Sequence, residues 1–123
     1  MPSADEHQEN YLHNKKLLNS ELFRQEGEYS DWFVTILFYE AVHLIERELA
    51  KHSLMPFHSS DHNVRMGWVS KTAWLNKIIA EYSTLYNQSI RARYKCAKFS
   101  SQDVAGLEQK FYVIENHLNQ TSA

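Results

Sequence analysis

The residues best equipped for chemistry in this chain sit where apolar helical sequence is interrupted. Glu40, His43 and Arg47 are spaced three and four apart, so on a helix they share one side, with Thr35 and Glu46 nearby. A carboxylate, an imidazole and a guanidinium on one seam supply an acceptor, a proton-exchanging group and a fork of donors. The plainer reading pairs Glu40 and Arg47 with neighbouring helices and leaves His43 a satisfied core histidine. A second group is Arg91, Arg93 and Tyr94. At 100° per residue, Tyr82, Leu85, Tyr86, Ser89, Arg93 and Cys96 fall in one sector, while Arg91 points the opposite way. An arginine on an apolar stripe must reach solvent along its stem or find an acidic or phosphate partner, because an unpaired buried charge is costly. The functional expectation is that Glu40, His43 and Arg47 face Arg93 across a cleft and bind a ligand there.

Other constellations carry less. Glu40 and His43 spell Glu-x-x-His, the unit that di-iron bundles use twice, but the chain has one copy and no metal is expected. His58 and His62 straddle a loop and a helix start, where capping or surface roles suit them. No phosphate-cradling glycine loop, Gly-x-Ser-x-Gly elbow or Cys-x-x-Cys pair occurs, and Cys96 has no local histidine partner. No cofactor is expected.

The elements that must position these residues are helices. A chain of 123 residues sits near the usual size of one domain, and 43% hydrophobic residues suffice to offset the chain entropy lost on folding. Three glycines and two prolines are too few for the many turns of a β-sandwich or barrel. The pattern predicts a first helix over 5–26 ended by Gly27, and a central, most buried helix from a Ser30 or Asp31 cap to about His52. Residues 53–61 read as a loop around Pro56. A short helix follows from an Asp61 or Ser60 cap to about Lys71, then a long one over 73–97. A last helix is capped by Ser100 or Ser101, with Leu107, Phe111, Ile114 and Leu118 as its stripe. The expected fold is an all-α, up-and-down bundle of four long helices and one short one, forming a single domain over 1–123 with frayed ends at 1–5 and 119–123.

A net charge of -2 supplies no global positive field for a long nucleic acid, so any RNA contact must be local. The single cysteine excludes an internal disulfide and suits a reducing compartment. The opening MPSADEHQENYLHNKK is not a secretory signal, and no apolar run spans a bilayer, so a cytoplasmic protein without membrane contact is expected.

In order, Asp31-Trp32, FYEAVHLIERELA at 38–50, Ser60-Asp61-His62, IAEYSTLYNQSIRARY at 79–94 and FSSQDV at 99–104 resemble the HEPN superfamily. The likeness spans about residues 30–118. It implies a helical bundle, commonly a homodimer, in prokaryotic toxin-antitoxin, defence or RNA-processing systems, with RNA, a nucleotide or a protein such as a nucleotidyltransferase as partner. Many such domains are metal-independent endoribonucleases whose signature is Arg, four to six residues, then His. Here that position holds Ser89-Ile90-Arg91-Ala92-Arg93-Tyr94 with no histidine before His117, and the terminal Tyr is similar to non-catalytic relatives. Together with the residue pattern, the resemblance leads to the expectation of a non-catalytic module that binds through Arg91, Arg93, Tyr94 and the seam of Glu40, His43 and Arg47. The alternative is an endoribonuclease using an Arg-x-x-x-x-His string outside the family's usual position, Arg47 and His52, or pairing Arg93 with His43.

Overall fold

The computed structural model describes residues 3–20, 29–52 and 61–121. Among these it contains α1 (Ala4–Leu18), α2 (Ser30–Lys51), α3 (His62–Lys71), α4 (Ile79–Tyr94) and α5 (Ser101–Thr121), with one 3-10 turn, Asn76–Ile78, leading into α4. No strand occurs among the described residues, so the all-α expectation holds, with four long helices and a short one. Helix α2 packs against α1, α4 and α5, and α4 also packs on α5. The central position follows from sequence: fifteen of the 22 residues of α2 are buried, and its apolar residues occupy most of its circumference. Buried apolar side chains from all five helices form one contiguous cluster.

Local chemistry sets the helix ends. Helix α1 opens with a capping box, in which the Ser3 hydroxyl accepts from the Glu6 N–H and the Glu6 carboxylate accepts from the Ser3 N–H. It stops at Leu18 rather than at residue 26. The Ser20 hydroxyl and N–H both donate to the Leu17 carbonyl, competing with continuation of the helix. Gly27 lies outside the described residues, as does the loop expected around Pro56.

Helix α2 runs to Lys51 as expected, but its cap is Tyr29, whose side chain makes no capping bond; Ser30 and Asp31 are already helical. Asp61 caps α3 by accepting from the N–H groups of Asn63 and Val64 at 2.7 and 3.4 Å. The helix expected over 73–97 is shorter at both ends. At its C-terminus Cys96 adopts φ 54°, in the left-handed region, and the Ala97 N–H turns back to the Arg91 carbonyl. Ser100 and Asp103 form the reciprocal cap of α5, with side chains and N–H groups paired at 3.0 and 3.1 Å.

Candidate functional site

Four charged residues of α2, Glu40, Glu46, Arg47 and Glu48, are buried, and each must be paired or neutral. Glu46 Oε1 accepts from Arg65 Nε on α3 at 2.7 Å, and Arg65 also reaches the Tyr82 hydroxyl on α4. Arg47 is held from every side. Its Nε donates to Glu48 at 2.9 Å, its Nη1 to Gln8 and Asn119 at 2.8 and 3.1 Å, and its Nη2 to the Leu118 carbonyl at 3.1 Å. It therefore stitches α2 to α1 and α5. The other Glu48 oxygen lies 3.7 Å from His52 Nε2, so one carboxylate stands between the two residues of the Arg-x-x-x-x-His string. The His52 ring packs 4.6 Å from that of Trp74.

The remaining members of the seam part company. His43 faces α1, with its Nδ1 3.0 Å from Nδ1 of the buried His7; one ring donates there and the other accepts. Glu40 faces the groove between α1 and α5. Burial, with Glu115 adding to it, raises its carboxyl to about 8, against an opposing pull from Lys15.

Arg93 belongs to a different surface. Its Nη2 donates to Ser89 Oγ at 3.1 Å and its Nη1 to the Tyr39 hydroxyl at 3.1 Å, while Nε lies 3.3 Å from the Ser89 carbonyl. The rings of Tyr94, Tyr39 and Phe38 surround the guanidinium at 5.2, 5.6 and 5.8 Å. Two of those rings reach solvent, Tyr94 being 70% exposed and Tyr39 39%. Trp32, seven residues before Tyr39 on the same side of α2, is 58% exposed. Arg93 also borders a cleft of about 360 Å³ with Ser30, Asp31, Ala97 and Lys98, where α2 begins and α4 ends.

On the opposite side of α4, Arg91 donates to Gln88 at 2.7 Å and borders a cleft of about 330 Å³ with Lys98, Phe99 and Lys110. Its guanidinium lies 5.8 Å from the Phe99 ring. Lys98 lines both clefts. The end of α4 and the turn after it thus carry four cations, Arg91, Arg93, Lys95 and Lys98, within a partly aromatic surface.

The structure brings Arg93 and Tyr94 together with Tyr39, puts Arg91 across the helix from them, and gives Glu40, His43 and Arg47 separate surroundings. Two contributors carry no signal in the sequence. Tyr39 and Lys98 carry no motif, and their place at the end of α4 follows only from packing. His62, whose place at a helix start suits capping and packing, lays its ring flat on Tyr86 with centroids 3.4 Å apart and 6° between planes. Burial, followed by the nearby Arg65 and by Arg93, lowers its pKa, with Asp61 opposing. The Asp61-His62 pair preceding Arg65, with Tyr82 and Tyr86 one turn apart, was the available signal.

Comparison with protein-family models, curated proteins and solved structures finds no match to this chain.

Proposed function

We propose that this chain is a non-catalytic, HEPN-like binding module that holds a single RNA strand or nucleotide across the C-terminal end of α4. The observation that carries the reading is the surface around Arg93, where a guanidinium sits among three aromatic rings and two of those rings face solvent. Such a surface suits single-stranded nucleic acid, because aromatic faces stack bases and guanidinium groups bind phosphate. Arg91, Lys98 and Arg93 offer phosphate contacts in sequence from one cleft to the other. Toxin-antitoxin, defence or RNA-processing systems are the setting this reading favours, with a second copy or a nucleotidyltransferase as protein partner.

The endoribonuclease reading draws support from Glu48, whose carboxylate stands between Arg47 and His52. Against it, the Arg47 donors are occupied by protein acceptors, so reaching a scissile phosphate would require breaking the contacts that anchor α1 and α5. One assay separates the two. Incubated with a labelled single-stranded oligoribonucleotide, the protein is expected to retard it in a native gel and leave it intact in a denaturing gel. Arg93→Ala should weaken retardation about tenfold, as for loss of a phosphate or stacking contact. Cleavage that disappears in His52→Ala would replace the binding reading with the catalytic one.

A further inference from the structure

The buried carboxyl of Glu40 is used by nothing described so far. Its residue is 2% exposed, and its Oε1 is buried without a hydrogen-bond partner. Buried acceptors are normally satisfied, so an orphan beside a cavity points to something that completes it. Glu40 lines such a cavity, of about 190 Å³, between α1, α2 and α5. Leu18, Leu37 and Phe111 supply its apolar walls, Tyr112 an aromatic one, and Glu108 a second carboxylate. The cation at its edge, Lys15, donates from Nζ to Glu115 at 2.7 Å, beside the Tyr11 hydroxyl, which bonds the same oxygen. The cavity therefore sets a buried carboxyl and a second carboxylate against apolar walls, with the Asn19 amide and Lys15 at its edge.

We propose that this cavity binds a small primary alkylammonium ion, whose charged head donates to Glu40 and whose alkyl stem lies against Leu18, Leu37 and Phe111. At about 30 Å³ per water-sized group, it accommodates roughly six heavy atoms, the size of a butylamine. When the site is empty, Glu40 keeps its proton at neutral pH, because burial, and then Glu115, raises its carboxyl to about 8. The entering cation takes the proton's place, and the proton leaves to solvent. The titratable groups around Glu40 are His43 one turn along α2 with its partner His7 on α1, Tyr11 and Lys15 on α1, and Glu108, Tyr112 and Glu115 on α5. Burial raises Tyr11, and Lys15 is raised by its bonds to Glu115 and Tyr11 despite burial, so neither changes charge between about pH 6 and 9.

Calorimetric titration of the full chain with n-butylammonium chloride, at constant ionic strength and in two buffers of different ionisation enthalpy, tests this. Affinity should rise roughly 25-fold from pH 6.5 to 8.5, following the ionised fraction of a carboxyl titrating at about 8, with close to one proton released at pH 6.5. Glu40→Gln, which keeps the shape and removes the charge, should lose at least tenfold in affinity, and 1-butanol should bind far more weakly than the amine. No heat with the wild-type chain, a pH-independent affinity, or equal binding by Glu40→Gln or of 1-butanol would each overturn the proposal. Circular dichroism reports whether the variant folds; if it does not, the pH profile of the wild-type chain decides alone.

Discussion

At the scale of single residues, burial decides what each ionisable group can do. Glu40 and Glu46 lie on the same helix and are similarly buried, yet Glu46 has a guanidinium at 2.7 Å and Glu40 has no such partner. Removing one half of the buried pair should be expensive. Arg65→Ala is expected to cost about 3–5 kcal/mol, because it removes one half of a buried ion pair that joins α3 to α2, and urea denaturation checks this. Glu40 gives the opposite sign. Its folded carboxyl titrates at about 8, above the ordinary 4.5, so the associated stability is fully present below pH 4.5 and is lost as pH rises towards 8. Glu40→Gln stays neutral throughout, and should therefore be more stable than the wild-type chain at pH 7, by as much as about 3 kcal/mol. Denaturation curves at pH 4.5 and pH 7 should show the gap opening between them. That Arg93 and Glu40 were exceptional was legible in the sequence, since each interrupts an apolar stripe. Their partners were not, because Tyr39, Glu115 and Lys15 come from other helices, and helical spacing says nothing about contacts between helices.

At the scale of elements, the helices were readable and their ends less so. Apolar residues cover so much of α2 that its central place follows from sequence alone, and α3 and α5 begin at caps, Asp61 and Ser100, that a sequence reader can name. Helix α1 ends early because Ser20 competes locally for its last carbonyls, a side-chain choice that outweighs the continuing hydrophobic pattern. At the other boundary, Cys96 ends α4 in a left-handed conformation that a non-glycine residue rarely advertises. This turn has consequences for the site, since it sends Ala97 and Lys98 back beside Arg93. The cap of α3 matters for the same reason, because it fixes the start of the helix on which His62 stacks against Tyr86. Asp61→Ala should cost about 1 kcal/mol in thermal or chemical denaturation, the usual loss for an N-cap acceptor.

At the scale of the whole molecule, a net charge of -2 and one small cluster of cations at the end of α4, Arg91, Arg93, Lys95 and Lys98, imply a short binding footprint. The wall between the two clefts is α4 itself, with Arg91 on one side and Arg93 on the other, so a strand must cross the helix end to use both. Among the described residues no helix is long and apolar enough to cross a membrane. The separation of Glu40 from Arg93 gives the molecule two unlike regions. One is a cationic and aromatic outer surface, and the other is an acidic cavity against α1 and α5.

The most direct measurement is a fluorescence anisotropy titration of a labelled single-stranded oligoribonucleotide with the wild-type chain and with Arg93→Ala and Tyr94→Ala, at several salt concentrations. Two or three phosphate contacts on a single strand should give a slope of log affinity against log salt of about -1.4 to -2.1. Arg93→Ala should weaken binding about tenfold and flatten that slope by about 0.7, while Tyr94→Ala weakens binding and leaves the slope unchanged. Affinity and slope that are identical in all three proteins would contradict a binding surface built around Arg93.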